Sequence, residues 1–357
     1  MYLLKHKIIK KLILFVFLFI YYIISANAQM LYNNGLDIQA NDGIMIYMGG
    51  TVQNDNGVID VDQSGTASEL IINNDFINNG NAGGDGYYYV RGDWENNNTF
   101  NAGNGTVFLD GADQIIGGTV PTTFNNLTLD GSGLKTQTID QYLTGILDLN
   151  HLELQTETHV FFVQNPDPNA IIRTTGFVSS LNGGFLSRET NTTNTYLFPT
   201  GSSVGTNRYR PVELTPLSTN NNTYTARLAN LDATIEGYDV TLFGTGVCEV
   251  NPQFYHQINR TSGTTAVDLS IFYDNTVDGD WDGIVNWGTS PNQWDKITGS
   301  ATTLGAPLDE AHTTNWNDFS QIPYALYKVL PNPNITPEGP FCENDASVTL
   351  NASPTGG

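Results

Sequence analysis

Between about Thr99 and Leu154, three short segments recur at one interval. They are Val107-Phe108-Leu109-Asp110, Leu127-Thr128-Leu129-Asp130 and Leu147-Asp148-Leu149-Asn150. Val107, Leu127 and Leu147 stand twenty residues apart, as do Leu109, Leu129 and Leu149, and each triplet closes on Asp110, Asp130 or Asn150. Within a triplet an inward apolar residue alternates with an outward one, the two-residue period of a strand. A fixed period near twenty marks a solenoid, in which each coil buries its apolar face only against the next. No segment has helical periodicity, which disfavours leucine-rich and helical repeats and leaves a β-helix. Asn, Asp and Gly then turn the corners, because they tolerate left-handed backbone angles.

The N-terminus has the pattern of a secretion signal. Lys5, Lys7, Lys10 and Lys11 precede an unbroken apolar run from Leu12 to Ile24, and Ala26-Asn27-Ala28 supplies a small-x-small cleavage pattern. That run is short for a membrane span of about 20 residues. Cleavage would leave a chain beginning at Gln29, with no Cys at the site for a lipid anchor. The chain has 36 acidic and 14 basic residues. Four of the basic ones lie before Gln29, so the remainder stands at 10 − 36 = −26. Such a charge repels nucleic acid and acidic polymers. Frequent aromatic and β-branched residues argue against disorder.

Residues 30 to about 98 read as earlier, less regular coils. Ile44 to Met48, Val58 to Asp62 and Leu70 to Ile72 are strand candidates between Asn-rich corners such as Asn54-Asp55-Asn56-Gly57 and Asn78-Asn79-Gly80. Asn serves in two ways here: it turns corners, and inward Asn stacks into hydrogen-bonded ladders. Tyr87-Tyr88-Tyr89-Val90 is expected as the coil before Val107, with Tyr87 aligned to Val107. Its tyrosines suit either coil-on-coil stacking or a sugar-binding platform.

The stretch from Val90 to Val107 contains Gly92-Asp93-Trp94-Glu95-Asn96-Asn97-Asn98-Thr99-Phe100-Asn101-Ala102-Gly103-Asn104-Gly105-Thr106-Val107. Gln114-Ile115-Ile116-Gly117-Gly118 and Thr123-Phe124-Asn125-Asn126-Leu127-Thr128-Leu129 continue it. This resembles a module of secreted bacterial β-strand-repeat proteins, with Asn98 where that family usually has Gly. The Arg91-Gly92-Asp93 triplet falls inside the motif and is accounted for by it. From about 185 longer segments follow, including Tyr224 to Leu228, Tyr238 to Leu242, Val267 to Tyr273 and Tyr324 to Val329, the pattern of a β-sandwich. Tyr196-Leu197-Phe198-Pro199-Thr200-Gly201 and Tyr209-Arg210-Pro211-Val212 resemble the module that often follows these repeats in surface proteins. Pro331, Pro333, Pro337 and Pro340 mark an extended spacer. Phe341 to Leu350 resembles the first strand of the Ig-like modules in gliding-motility-associated proteins exported by type IX secretion.

The expected fold is therefore all-β: a right-handed β-helix-like solenoid, then a β-sandwich and the start of an Ig-like domain. The expected divisions are a signal peptide over 1–28, repeats over 29–185, a sandwich over 186–330, a linker over 331–340 and a truncated Ig-like start over 341–357.

Candidate chemistry is sparse. Asp278, Asp280 and Asp282 alternate before Gly283, as at the opening of a calcium loop, although position twelve is Thr289 and no helices flank it. A β-helix lyase would need a base, and residues 30 to 185 offer only Arg91, Lys135 and Arg173, widely spaced. Asp110 and Asp130 occupy a corner position, and His151 and His159 read as surface histidines. Cys248 and Cys342 are the only cysteines, and the spacing leaves open whether they pair. The expected function is a non-enzymatic, secreted or outer-surface modular protein that presents binding surface to an extracellular glycan or protein. Its partners exclude nucleic acid, and no transmembrane segment remains after cleavage. The alternative is a carbohydrate-active enzyme or carbohydrate-binding module on a β-helix.

Overall fold

The computed structural model describes residues 30–62, 65–180 and 182–329. The expected signal segment, Pro-rich linker, Ig-like start and Cys342 lie outside them. The fold is all-β, 3% helical and 50% strand, and opens with a β-solenoid of about 7 turns.

Each coil lays one short strand on each of three faces. The first face is an eight-stranded parallel sheet running from Leu31–Asn33 through Val52–Asn54, Phe76–Asn78 and Trp94–Asn96 to Phe177–Ser179. The second begins with Asp37–Ala40, Val58–Val61, Asn81–Gly83 and Thr99–Asn101, and is taken up by Thr123–Phe124, Gln141–Leu143 and Val160–Val163. The third holds seven strands from Met45–Met48 to Ile171–Ile172. The interval of twenty is its register. Val107 pairs with Leu127, Leu127 with Leu147, and Leu109 with Leu129. All of these are buried, because the period of two sends one residue set inward along every strand.

The preceding coil is one residue shorter. Tyr88, not Tyr87, stands opposite Val107, and Tyr87 pairs with Thr106. A one-residue shift exchanges the two faces of a strand, so Tyr88 enters the core and Tyr87 and Tyr89 point outward. The intervals vary elsewhere: Met45 pairs with Glu69, and Glu69 with Tyr87. Corners of unequal length absorb the difference while the strands stay aligned.

The interior is built in layers. Phe76, Tyr88, Trp94, Phe100 and Phe124 pack edge-on or tilted, with ring centroids 4.6 Å apart for Phe76–Trp94 and 4.8 Å for Trp94–Phe100. The Trp94 indole N–H donates to Thr122 Oγ1 at 3.0 Å, so its one polar atom is satisfied. Where the first face turns toward the second, inward Asn33, Asn54, Asn78 and Asn96 form a ladder. Each Nδ2 donates to the next Oδ1 at 3.0, 3.0 and 2.9 Å. The same amides close the corner carbonyls, as Asn54 does for Asn81 O and Asn78 for Thr99 O. The ladder ends at Gly118, which stands opposite Asn96 with φ +117°; a Cβ there would lie 2.0 Å from Asn96 O. Only glycine fits that approach.

The solenoid gives way to antiparallel structure within one strand. Phe185–Thr190 pairs in parallel with Val160–Val163 and antiparallel with Asn222–Ala229. The sheet continues through Tyr255–Ser262, Pro323–Lys328, Gly283–Thr289 and Asn292–Lys296. A second antiparallel sheet orders Tyr196–Phe198, Val212–Pro216, Val267–Tyr273, Asp309–Trp316 and Ala301–Thr303. Both sheets share one hydrophobic core with the solenoid. Fully buried Arg188 staples the junction. It donates to Asp167 O and Pro168 O at 3.0 Å and to Leu197 O at 2.7 Å, while the Tyr196 hydroxyl donates to Pro166 O at 2.7 Å. Tyr238 to Leu242, expected as a strand, is a turn instead. The Asp239 carboxylate accepts from the N–H and hydroxyl of Thr241 and outcompetes a ladder.

Candidate functional site

The acidic loop meets arginine. Asp278 ends a one-turn helix, Asn275–Asp278, and its side chain is fully buried. Arg208 Nε donates to Asp278 Oδ1 at 3.0 Å, and Arg210 Nε donates to Oδ2. The Asp274 N–H adds a third donor at 3.0 Å. The two arginines alternate on one extended segment and so reach the carboxylate from one side. Arg208 is further held by Asn230 Oδ1 at 2.7 Å, by Gln253 Oε1 and by the Phe254 ring, 5.5 Å away. Asp280 and Asp282 are exposed, and Asp282 Oδ2 accepts from the Val329 N–H at 2.8 Å. Of the three carboxylates expected around calcium, Asp278 thus goes to the two arginines and Asp282 to a backbone N–H, while Asp280 faces solvent. Among the described residues no group of three or more acidic, His or Cys side chains gathers as a metal site.

His256 abuts this cluster. Its Nε2 lies 2.9 Å from Arg210 O, and since a carbonyl only accepts, Nε2 carries the proton. Complete burial pulls the imidazole down to about 4, with the Arg210 charge adding to the effect. A further buried cation, Arg227, reaches Glu236 through Nη1 and Nη2 at 2.9 and 2.6 Å and donates from Nε to Ser180 O.

The candidate bases of the solenoid are dispersed. Lys135 points inward and is fully buried. Its ammonium donates to Gly111 O, Ala112 O, Ser132 O and Gln114 Oε1 at 2.7 to 3.0 Å, closing a corner as the Asn ladder does earlier. Burial lowers it to about 8, against the pull of Asp110, Asp113 and Asp130. Arg91 bridges corners outside, to Asp110 at 3.3 Å and to Asn73. Arg173 lies 3.9 Å over the Tyr209 ring. His151 is exposed, and His159 Nδ1 is 3.7 Å from Asp140. Cys248 has no cysteine partner among the described residues.

The outward tyrosines stack. Tyr89 and Phe108 lie parallel, 4.5 Å apart and 10° from coplanar, with Tyr87 edge-on to Phe108 at 5.9 Å. Tyr142 and Phe162 repeat the arrangement at 4.8 Å on the second face. Tyr89 and Phe108 thus each turn one ring face to the other, coil on coil, as do Tyr142 and Phe162.

One cleft in the antiparallel region has features the sequence reading missed. It encloses about 380 Å³ between the hairpin of Gly283–Thr289 and Asn292–Lys296 and the loop after Asp309–Trp316. Trp316, Asp318, Gln321, Asn286 and Asp295 line it. The only forewarning in the sequence is Trp316-Asn317-Asp318, an aromatic residue beside a carboxylate in a polar loop. Comparison with family models, with curated proteins and with solved structures gives no match to this chain.

Proposed function

We propose that this chain is a structural presentation module of a secreted or outer-surface protein. The solenoid serves as a stiff stalk, and the antiparallel region, read as a β-sandwich, carries the binding surface. The observation behind this reading is the shared strand Phe185–Thr190, which joins stalk and head in one sheet and one core. A hinged linker would let the head swing; a shared strand makes it follow the stalk. The signal pattern at 1–28 and the resemblance of residues 90–150 to secreted β-strand repeats support the surface location. Type IX export and the gliding-associated string of Ig-like modules belong to the same reading.

The cleft beside Trp316 favours the second reading, a carbohydrate-binding module, over an enzyme. The purified chain should retain extracellular ligands without altering them. A glycan array run beside a reducing-end and unsaturated-product assay on acidic polysaccharides tests this. Turnover of any polymer would overturn the presentation reading.

A further inference from the structure

We propose that the cleft between the 283–296 hairpin and the 316–321 loop binds a neutral saccharide unit, stacked on Trp316 and hydrogen-bonded by Asp318, Gln321, Asn286 and Asp295. This rests on the presentation reading above and names the ligand class of its head.

Three observations carry it. First, the loop is preorganised. The Trp316 indole N–H donates to the Tyr324 hydroxyl at 3.0 Å, and that hydroxyl donates to Asp318 O at 3.2 Å. Phe319 is anchored in the core 5.7 Å from the Tyr224 ring. Arg260 holds Asn317 Oδ1 at 2.6 Å, and Asn286 Nδ2 donates to Gln321 O and Pro323 O. A loop tied at this many points loses little entropy on binding. Second, the lining is rich in acceptors. The Asn286 amide nitrogen is occupied, which leaves its oxygen. Asp318 accepts from the Ser320 N–H at 3.0 Å and stays ionised, since bonds from Ser320 hold it below the usual carboxylate range. A Cβ at Gly288 would come 2.7 Å from Asp295 Oδ2, so the missing side chain makes room for that carboxylate. A ligand that matches must offer hydroxyl donors. Third, the volume suits a small ligand, within the range of about 300–1,000 Å³ typical of such sites. Lys296, the one cation in the lining, has its ammonium 5.1 Å over the Tyr327 ring, and a chain of net charge −22 disfavours uronates and sulfated sugars. The half-buried Trp316 indole, lining one cleft with two carboxylates and two amides, then matches a neutral sugar, with its apolar ring face and rim of hydroxyls.

The test uses the full chain on an array holding neutral and uronate-containing glycans, with Trp316→Ala and Asp318→Asn as variants and a reducing-end assay on the same glycans. Asp318→Asn keeps size and an acceptor, so it should fold, as its thermal melt checks. We expect retention of a neutral glycan by the parent chain and a loss of about tenfold or more in both variants. Should Trp316→Ala fail to fold, Gln321→Ala replaces it, with the same loss expected. No neutral glycan retained, retention of acidic glycans only, or retention unchanged in Asp318→Asn overturns the proposal. Polymer turnover would instead overturn the presentation reading and leave the cleft as the sugar's seat.

Discussion

Asp278 is the residue on which the antiparallel region most depends. Removing one partner from a buried ion pair leaves the other charge uncompensated, which costs about 3–5 kcal/mol. Asp278→Ala strands two guanidinium groups, so we expect a loss at or above that range in urea denaturation. Asp280→Ala, at an exposed position, should stay within about 0.5 kcal/mol. The neighbouring imidazole adds a pH dependence. His256 titrates at about 4 when folded and at 6.5 when free. Between those values the unfolded chain takes up a proton that the folded chain refuses, so stability rises with pH across the window. This contribution is complete above pH 6.5 and is lost as pH falls toward 4, by about 3 kcal/mol in all. Denaturation of the parent and His256→Gln at several pH values should show the gap between them shrinking over this window. Parallel profiles would contradict the assignment. The sequence shows Arg208 and Arg210 only as two of ten cations after residue 28, and their partner lies 70 and 68 residues away. No local pattern connects them, and the acidic loop taken alone resembles a calcium loop.

At the scale of elements, the Asn ladder is the most legible device, because inward Asn at the first four first-face corners has both a turn and a stack to serve. Its rungs are unequal. Asn78 accepts from Asn54 and donates to Asn96 and Thr99, whereas Asn96 accepts from Asn78 and donates weakly to Val120 O at 3.4 Å. With about 1 kcal/mol per bond and more for each stranded buried group, Asn78→Ala should cost about 2–4 kcal/mol and Asn96→Ala about half as much. Equal losses in urea melts would mean that the ladder does not act as a chain of bonds. Register was legible where coils kept one length, as from Val107 to Leu147, and failed by one residue at Tyr87, because the coil from Tyr87 to its partner Thr106 spans nineteen residues, not twenty. The loop at 274–282 makes its own prediction. With Asp278 held by arginines, calcium and magnesium at equal concentration should raise the melting temperature alike, through screening of the chain's negative charge. A calcium-specific rise abolished by Asp280→Ala would instead place a metal at this loop.

For the whole molecule, the all-β solenoid followed from the interval of twenty together with strand alternation and the lack of helical periodicity, but the manner of attachment did not. The strand Phe185–Thr190 reads as an ordinary alternating segment, and nothing local marks it as parallel on one side and antiparallel on the other. The Trp316 cleft was equally hidden, since its walls come from segments that only the closed sheets bring together. The central claim is that outward positions of the third face climb the solenoid one coil at a time: Tyr47, Ile71, Tyr89, Phe108, Thr128, Asp148 and Ile172. Spin labels placed in pairs on this row, read by double electron–electron resonance, test it most directly. Neighbouring strands lie about 4.8 Å apart, so labels at Tyr47 and Thr128, four coils apart, should sit about 19 Å from each other, and labels at Tyr47 and Ile172, six coils apart, about 29 Å. A distance that grows in step with coil number is the predicted result; distances that ignore coil number would contradict the solenoid.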